Sequence, residues 1–308
     1  MPSGVKCLIT GGAGFVGAAL ARRLQTSGAS VTLLVRPGSD LWRVKDLPVR
    51  AIQADLLDGE SLKRVFTEEK PEQVYHLAAH GGYPFQKDAR QILETNLLGT
   101  HNILEACADS PCRLMVHSGS SSEYGFKKEP MRETDRLEPN SYYAVGKAAA
   151  TQLCSYAATQ MKFPIVTLRL FSVYGPYEEP TRLIPTLIQR ALKGETIEMA
   201  SPDIARDFIH VDDVLDAMLQ TETLKKWTGD VFNIGSGIQS TLADAVKVVM
   251  QLTGSKSEIR WQSLKPRDWD ATHWVASIEK TRKSLGWSPK VSFREGIEKT
   301  IAWMRGRP

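Results

Sequence analysis

A run of glycines directly after the first apolar segment limits the possible folds of this chain more than any other feature. Val5 to Thr10 has the apolar character of a buried strand, and Gly11, Gly14 and Gly17 follow it at a spacing of three. Helical spacing of apolar residues begins at Phe15. A tight turn from strand into helix leaves bare backbone N–H groups and the helix dipole facing a ligand such as a pyrophosphate. The motif therefore predicts a dinucleotide-binding β-α-β unit, with a purely structural turn as the alternative.

The end of the second apolar segment indicates which dinucleotide is bound. Ser30 to Val35 is the predicted strand, and Arg36 follows where an acidic residue would hydrogen-bond the ribose 2′-hydroxyl of NAD. No carboxylate is there to repel a 2′-phosphate, and the guanidinium of Arg36 can hold one. We therefore predict a preference for NADP(H). The alternative is that Arg36 is a solvated turn residue and NAD binds without the usual carboxylate.

Predicted strands and helices alternate along the first part of the chain. Their order is strand 48–54, helix 61–66, strand 73–79, helix 88–108, strand 113–117, helix 143–160 and strand 165–170. This alternation is typical of an α/β fold with a doubly wound parallel sheet of the Rossmann type. Prolines at 176, 180 and 185 mark a boundary. We expect a dinucleotide-binding domain over 1–171, to which 210–236 returns, and a smaller, mostly helical substrate-binding lobe over 172–209 and 237–308.

Composition excludes several classes of protein. The 308 residues are 42% hydrophobic and carry a net charge of +4 without any basic run, which argues against a nucleic-acid partner. The four cysteines show no Cys-x-x-Cys pair and no histidine at zinc spacing, so we expect reduced thiols and no metal. No apolar run has the length of a membrane-spanning helix, and the first residues lack a signal-peptide pattern. We expect a cytoplasmic protein with no membrane partner.

A tyrosine and a lysine form the strongest candidate for acid–base chemistry. Tyr143 and Lys147 are four residues apart in the predicted helix 143–160 and therefore share one of its faces. The positive charge of a nearby ammonium favours the phenolate and lowers the tyrosine pKa from its usual value of about 10. Ser120 could orient a substrate hydroxyl or carbonyl toward the phenol. A chance helical pair is the alternative, and the preceding dinucleotide motif argues against it.

Several motifs together resemble the extended short-chain dehydrogenase/reductase superfamily, in particular its NAD(P)-dependent epimerase/dehydratase branch acting on nucleotide sugars. The resemblance covers nearly the whole chain. It rests on Thr10-Gly-Gly-Ala-Gly-Phe-Val-Gly17, His76-Leu-Ala-Ala79, Asn96, the serine-rich run 118–122, Tyr143-x-x-x-Lys147, Arg206-Asp-Phe-Ile-His-Val and Leu285-Gly-Trp-Ser-Pro289. It implies a catalytic trio of Ser120, Tyr143 and Lys147, in which Lys147 also holds the nicotinamide ribose.

The glycine motif, Arg36 and the resemblance together give the candidate ligand contacts. The candidate cofactor contacts are Gly11, Gly14, Phe15, Val16, Gly17, Arg36, Asp55 (at the adenine), Leu56, Leu77, Ala78, Ala79, Asn96, Tyr143 and Lys147. The candidate substrate contacts are His80, Ser121, Ser122, Ser172, Arg206, Lys265 and Arg267.

Some of these substrate contacts carry alternatives. Arg206 resembles the arginine that binds the substrate's diphosphate in relatives, although beside Asp207 it could be only a surface ion pair. Relatives place a second diphosphate-binding arginine where Lys265 stands, and Arg267 lies two residues on, so either cation could serve. Ser172 stands where many relatives carry a substrate-binding asparagine. His80, in a glycine-containing loop, could face the substrate or be a solvated loop residue.

The predicted function is NADP(H)-dependent reduction, at C4, of a 4-keto-6-deoxyhexose linked to a nucleotide diphosphate. Tyr143 would protonate the developing alkoxide with help from Ser120. The alternatives within enzymes are a nucleotide-sugar 4-epimerase or a 4,6-dehydratase with tightly held NAD(P). An alternative of another class is a dinucleotide-sensing regulatory protein, against which the intact serine, tyrosine and lysine argue.

Dehydration of the sugar needs acid–base groups beyond the tyrosine. Relatives that perform it carry an acid two residues before the tyrosine of the Tyr124-Gly125 pair, and Ser122 stands there, next to Ser121. Glu123 is one position later, and in an extended segment that shift turns its side chain to the opposite side. We therefore expect no dehydration. We also expect a homodimer formed through the helices at 88–108 and 142–160, which relatives pair and which carry few polar residues all round.

Overall fold

The computed structural model describes residues 4–306 except 84, 266, 268 and 269. The chain divides into two compact units. The first comprises the chain up to Gly125 together with Leu137–Arg169 and Leu215–Phe232, and the second comprises Phe126–Arg136, Leu170–Val214 and the chain from Asn233 onward. In the described part of the chain, no helix is both long enough and apolar enough to cross a membrane.

The first unit contains a seven-stranded sheet and its flanking helices. Its strands are β1 Lys6–Thr10, β2 Ser30–Val35, β3 Arg50–Gln53, β4 Gln73–His76, β5 Leu114–Ser120, β6 Ile165–Leu170 and β11 Val231–Ile234. Its helices are α1 Phe15–Thr26, α2 Gly59–Glu69, α3 Ala89–Leu93, α4 Gly99–Ala108, α5 Tyr142–Gln160 and α8 Thr221–Leu224, with a π-helical turn at Glu94–Leu98 and 3₁₀ turns at Ser121–Tyr124 and Lys225–Trp227.

The strand order β11-β6-β5-β4-β1-β2-β3 is that of a doubly wound Rossmann sheet, as predicted. The pairs β3–β2, β2–β1, β1–β4 and β4–β5 are parallel, and helices cover the sheet, so its central strands β1, β2, β4, β5 and β6 are almost entirely buried. A core between the sheet and the helices α2, α4 and α5 includes Leu8, Phe66, Val74 and Ile103, each at most 1% exposed. This burial is why β1 and β2 consist mostly of apolar residues.

The helix predicted over 88–108 is interrupted. Asp88 caps its N-terminus by accepting a hydrogen bond from Gln91, and the helix then widens into the π-helical turn Glu94–Leu98 before α4 continues to Ala108. A π-helical turn inserts one extra residue and is common at functional sites. Apolar periodicity did not indicate this turn, because the pattern before and after it is helical.

Helices make up most of the regular secondary structure in the described residues of the second unit, which also contain three small two-stranded sheets. Its helices are α6 Leu183–Lys193, α7 Val211–Met218 (whose last turn belongs to the first unit), α9 Leu242–Thr253, α10 Glu279–Leu285 and α11 Phe293–Arg305. Its strands are β7 Ser172–Tyr174, β8 Ile197–Glu198, β9 Ala205–Arg206, β10 Phe208–His210, β12 Ser240–Thr241 and β13 Ile259–Arg260, paired as β7–β10, β8–β13 and β9–β12.

Segment 126–136 belongs to this second unit, whereas the sequence placed it in the dinucleotide-binding domain. Met131 forms a β-bridge with Ala276, and its carbonyl accepts a hydrogen bond from the Asn233 side chain at 2.9 Å. The expected return segment 210–236 is also shorter, because only Leu215–Phe232 packs in the first unit. Both differences arise from backbone pairing between segments far apart in sequence, which local patterns do not contain.

The buried carboxylates of Asp207 and Asp213 give a structural reason for two sequence motifs of this unit, the one that begins at Arg206 and the one at 285–289. Asp213 accepts hydrogen bonds from the backbone N–H groups of Lys290 (2.9 Å) and Val291 (3.1 Å), and the Trp287 ring donates to its carbonyl (3.2 Å). Asp207 accepts in the same way from the backbone N–H groups of 236, 237 and 276. These two aspartates therefore hold the backbone of the loops at 236–237, 276 and 290–291 in place.

Candidate active site

The carboxyl edge of the large sheet brings the glycine loop next to strand β4. The chain passes from β1 outward to β2 and β3 and then returns to β4 on the other side of β1. Such a reversal opens a crevice at the carboxyl ends of the two strands. Gly11 has a φ of +67°, and a Cβ there would lie 2.8 Å from the backbone of Ala78. A Cβ on Gly17 would overlap the carbonyl oxygen of Gly11.

Helix α1 begins at this crevice with its first turn uncapped by any side chain of the described residues. Its N-cap is Gly14, and its first turn contains no acidic residue. The backbone N–H groups of Phe15, Val16 and Gly17 and the positive end of the helix dipole are therefore suited to an anion. This turn fits a dinucleotide pyrophosphate.

A directed chain of buried hydrogen bonds fixes the end of β1 against the π-helical turn. Burial lowers the pKa of His76 to about 3, so its ring is neutral. The Thr100 hydroxyl donates to the carbonyl of Asn96 at 2.7 Å, and it therefore accepts from His76 Nε2 at 2.9 Å. His76 Nδ1 is left to accept from the Thr10 hydroxyl at 2.7 Å. This assigns the Nε2–H tautomer to His76.

Asn96 holds the loop that follows β4. Its side chain is 2% exposed, its Oδ1 accepts from the backbone N–H of His80 at 2.8 Å, and its Nδ2 donates to the carbonyl of His80 at 2.8 Å. At the start of this loop, the N–H groups of Leu77 and Ala78 lie 3.2 and 3.1 Å from the Thr10 hydroxyl. The first residues of this loop, 77–80, are thus held in place beside the glycine turn.

The other candidate cofactor contacts lie around the same edge of the sheet. Arg36 and Asp55 follow β2 and β3, and both are exposed. Asp55 Oδ1 accepts from the backbone N–H of residue 57 at 2.9 Å, and Leu56 is buried at 9% exposure. Ala79 is exposed, whereas His80 is buried and its Nδ1 lies 3.2 Å from the Gln86 amide, so His80 is not a solvated loop residue. Burial lowers the pKa of His80, and the nearby Arg36 lowers it further.

Strand β5 extends to Ser120, three residues beyond its predicted end, and a 3₁₀ turn follows. The Ser120 hydroxyl lies 2.8 Å from the Ser122 hydroxyl and accepts from the Ser122 backbone N–H at 3.2 Å. Ser121 is buried and Ser122 is half-buried. Glu123 is fully buried and accepts from the Ser120 backbone N–H at 2.7 Å, which completes a capping box. The side chain of Glu123 therefore points into the unit. The 3₁₀ turn gives it this direction, whereas the prediction from sequence had assumed the alternating side chains of an extended segment.

Tyr143 and Lys147 occupy the first turns of α5, which packs against β5 and the 3₁₀ turn. Tyr143 is half-buried, and a Cβ on Gly82 would lie 4.0 Å from its ring. Lys147 is 2% exposed, and its Nζ lies 3.4 Å from His117 Nε2. Burial lowers the pKa of Lys147 to about 8, while the Glu123 carboxylate opposes that shift.

His117 supports Lys147 from β5. Burial and the positive charge of Lys147 hold the pKa of His117 well below its usual value, so its ring is neutral and Nε2 can accept from the ammonium. Nδ1 then carries the proton and donates to the Thr167 hydroxyl at 3.2 Å. The His117 ring stacks on His76 with centroids 5.7 Å apart. A neutral histidine pair thus lies behind the candidate catalytic lysine.

The candidate substrate contacts of the second unit are centred on Arg206. Its Nη2 donates to Asp270 Oδ1 at 2.7 Å, and its Nη1 donates to the carbonyl of Ala205 at 2.7 Å. Its ion-pair partner is therefore Asp270 and not the adjacent Asp207. The other oxygen of Asp270 accepts from the backbone N–H of Arg267 at 2.9 Å.

The remaining candidates of this unit are placed by the loop and strands around Arg206. Lys265 and Arg267 are exposed. Burial lowers the pKa of Arg206, and the charges of Arg267 and Arg182 lower it further, so three guanidinium groups lie in one region of this unit. Ser172 begins β7 and pairs in register with Phe208, two residues after Arg206. Such a concentration of cations is suited to a diphosphate.

Nearly all of the first unit and part of the second match a known family. The model of the "NAD dependent epimerase/dehydratase family" matches residues 7–235. This chain belongs to that family.

Individual relatives agree with this assignment over almost the full chain. "dTDP-glucose 4,6-dehydratase 1" of Escherichia coli is 28% identical over 97% of this chain and 92% of that protein. The UDP-glucose 4-epimerase of Thermotoga maritima, solved with UDP-glucose, has a TM-score of 0.90 and 27% identity over 97% of this chain and 98% of its own. The UDP-glucose 4-epimerase of Thermus thermophilus, solved with NAD, has a TM-score of 0.88 and 30% identity over 97% and 99%. The chain is thus an enzyme of the extended short-chain dehydrogenase/reductase superfamily.

Sequence patterns missed three buried side chains that lie beside the candidate catalytic residues. Arg169, 2% exposed, donates to Glu123 at 2.7 Å, and His76 and His117 stack behind Lys147. Charged and titratable residues inside predicted apolar strands were a signal for all three, because such residues are rarely buried without a partner. The identity of their partners depends on the packing of β4, β5, β6 and α5.

Proposed function

We propose that this enzyme is an NAD(P)-dependent nucleotide-sugar 4-epimerase. The observation that carries the proposal is the placement of Glu123, the one acidic residue of the 118–125 loop. Its carboxylate is buried and bonded to Arg169, Thr151 and the Ser120 backbone. The residues left to act are Ser120, Tyr143 and Lys147, which suffice for removal and return of a hydride at one carbon but not for loss of water.

The proposed chemistry assigns one role to each of these side chains. Tyr143 removes the proton of the sugar 4-hydroxyl and later returns it, while Ser120 orients that oxygen by hydrogen bonding. Lys147 stabilises the phenolate through its charge. A nicotinamide dinucleotide, when bound with its pyrophosphate at the N-terminus of α1, supplies the hydride acceptor.

The family comparisons support a nucleotide diphosphate sugar as substrate, and the solved epimerases favour UDP-glucose. In this proposal the guanidinium of Arg206 binds the diphosphate, assisted by Lys265 or Arg267. Arg206 is suited to this role because Asp270 already orients its fork at 2.7 Å. An arginine held in this way loses little side-chain entropy when it binds a phosphate.

A second candidate is the NADP(H)-dependent 4-ketoreductase predicted from the sequence. One observation favours it: Arg36 is exposed at the end of β2, and within the described residues no carboxylate pairs with it. A site that favours a 2′-phosphate is typical of enzymes that release the cofactor after each reduction. The comparisons do not support this reaction specifically, so we place it second.

The test is incubation of the purified enzyme with UDP-glucose and, separately, with dTDP-glucose in the presence of NAD or NADP. We expect a product of unchanged mass that separates from UDP-glucose as its 4-epimer, and no such product with the Tyr143→Phe variant. General acid–base groups typically contribute about 10²–10⁴-fold to rate. A product lighter by one water would overturn the proposal in favour of dehydration. Consumption of NADPH only when a 4-keto sugar is added would favour the ketoreductase.

We also propose that the enzyme is a homodimer. Helix α5 leaves an apolar stripe exposed, with Tyr142 at 60%, Val145 at 42% and Tyr156 at 66% exposure, and Leu98 on the neighbouring π-helical turn is 51% exposed. A contiguous exposed apolar surface on a folded unit usually marks an interface. A second copy of the same helices would cover it.

A further inference from the structure

Glu123 occupies a position that a carboxylate rarely takes. Its side chain has no exposed surface, and the burial raises its pKa while Arg169 opposes that shift. Oε1 accepts from the Ser120 backbone N–H at 2.7 Å and from the Thr151 hydroxyl at 3.0 Å, and Oε2 accepts from Arg169 Nε at 2.7 Å. One carboxylate therefore joins the end of β5, helix α5 and strand β6.

Stability alone does not account for this arrangement. A buried ion pair rarely stabilises a protein more than apolar residues of the same size would, because both charges lose their hydration. Arg169 also donates to the Tyr124 hydroxyl at 3.0 Å and lies 4.7 Å from the centre of the Tyr124 ring. The pair thus requires several well-aligned partners, and these partners fix its geometry.

Two of the groups bonded to Glu123 belong to the elements that carry the proposed catalytic residues. The Ser120 N–H is the amide of the candidate serine itself, and Thr151 is one turn after Lys147 on the same face of α5. The carboxylate is tightly packed, because a Cβ on Gly119 would lie only 2.8 Å from Glu123 Oε1. The distance between the serine loop and the lysine helix is therefore set through this carboxylate.

The charge of Glu123 also reaches Lys147. Burial lowers the pKa of Lys147 to about 8, and Glu123 and Cys154 oppose that shift. The other titratable groups near the ammonium are His117 on β5, at 3.4 Å, and His76 on β4, whose own pKa is lowered by Lys147. Both histidines are neutral, and the thiol of Cys154 is held protonated because burial raises its pKa to about 12. Glu123 is thus the group in this set that carries a negative charge.

We propose that Glu123 is a positioning residue of the active site: its buried carboxylate holds Ser120 at a fixed place relative to α5 and keeps Lys147 charged. The inference rests on the proposed function only in that Ser120 and Lys147 are the groups that act on the nucleotide sugar. Glu123 itself touches neither substrate nor cofactor in this proposal.

Two variants test whether Glu123 does more than neutralise the charge of Arg169, and a third variant is the control. Glu123→Gln keeps the shape and removes the charge. The double variant Glu123→Met/Arg169→Met removes the whole ion pair, so Arg169 is not left as a buried charge without a partner, and we expect it to fold. Glu69→Gln is the matched control, because Glu69 also accepts from a threonine and an arginine, Thr32 (2.8 Å) and Arg50 (3.1 Å), away from Lys147.

The first measurement needs no substrate: the pKa of Lys147 from the Cε resonance of isotope-labelled lysine, assigned with a Lys147→Met variant. We expect this pKa to fall below its value in the parent enzyme in both Glu123 variants and to stay unchanged in Glu69→Gln. An unchanged Lys147 pKa in the double variant would overturn the electrostatic part of the proposal.

The second measurement is kcat, KM and the pH profile of turnover. We expect kcat of the double variant to fall by about tenfold or more, since small displacements of reacting groups are costly, with KM nearly unchanged and the alkaline limb shifted to lower pH. Recovery of the parent kcat in the double variant would show that Glu123 only neutralises Arg169. If the parent enzyme converts no nucleotide sugar, the proposed function fails, and the Lys147 pKa still decides the inference about Glu123.

Discussion

Lys147 carries a charge where burial makes a charge costly. Its pKa is lowered from 10.5 to about 8, so between these two values the folded protein has released a proton that the unfolded chain still holds. The free energy of unfolding therefore rises with pH across this window, and below pH 8 the folded state bears the cost of the buried ammonium. If Lys147 acts as proposed, this cost is an example of stability given up for activity.

We predict that Lys147→Met stabilises the protein and removes its turnover. The stabilisation should be on the order of 1–3 kcal/mol near neutral pH, because the charge burial that lowers the lysine pKa is gone. Denaturant unfolding at neutral pH and again above pH 8 is the measurement. The parent protein should gain stability between the two conditions through this residue, and the variant should lack that gain. A variant less stable than the parent at neutral pH would contradict the prediction.

Arg36 is the residue on which our prediction of the preferred cofactor depends. We predict that Arg36→Ala weakens NADPH binding by about 10–100-fold, the range expected for one charge-assisted hydrogen bond, and leaves NADH binding nearly unchanged. Fluorescence titration with each dinucleotide measures both affinities. Lys45→Ala, at an exposed cation of the same loop, is the control and should change neither. Equal losses for NADPH and NADH would mean that Arg36 shapes the turn and does not contact the 2′-phosphate.

The loop between β4 and α3 owes its shape to the element that follows it. The π-helical turn Glu94–Leu98 directs Asn96 at the backbone of His80, and two hydrogen bonds of 2.8 Å result. His76, Thr10 and Thr100 continue the same network to the end of β1. A regular helix in place of the π-helical turn would rotate Asn96 away from this loop.

We predict that Asn96→Ala destabilises the protein by roughly 1–3 kcal/mol, because it leaves a buried N–H and a buried carbonyl without partners. Asn102→Ala on α4 is the control, since the Asn102 side chain donates to the carbonyl of Leu56 at 2.8 Å and, among the described residues, makes no second hydrogen bond, so its loss should cost about 1 kcal/mol or less. Thermal and denaturant unfolding of both variants provide the comparison. A smaller effect at Asn96 than at Asn102 would show that the loop finds other partners.

The exposed surface of α5 bears on the oligomeric state of the whole molecule. Val145, Ala149 and Tyr156, with the polar Gln152 among them, recur at intervals of three and four and form one stripe of the helix. Tyr142 extends the stripe at its N-terminal end. The proposed homodimer would bury it.

We predict that Tyr156→Glu converts the proposed dimer to a monomer, because a carboxylate buried in an apolar interface loses its hydration without a partner. Sedimentation velocity at micromolar concentration measures the oligomeric state. Ile238→Glu, which changes an equally exposed apolar residue of the second unit, is the control and should remain dimeric. A parent protein that sediments as a monomer would refute the dimer itself.

The sequence by itself determined the architecture of the first unit and the identity of its family. The glycine motif between a strand and a helix can be identified from neighbouring residues alone, and apolar periodicity is also a local property. The order of β1, α1 and β2, and the placement of Tyr143 and Lys147 on one helix, were therefore predictable. The family match over 7–235 confirms the prediction made from these motifs.

Tertiary structure alone decided how the buried polar groups pair. Nothing local in Glu123 indicates that its partners are Thr151 and Arg169, since these lie 28 and 46 residues away and meet it only when β6 and α5 pack on β5. The pairing of Arg206 with Asp270, 64 residues away, is of the same kind. Hydrogen bonds and ion pairs of this sort require the partners to be close in space, but the partners can be at any distance in sequence. Only the folded structure therefore shows which residues pair.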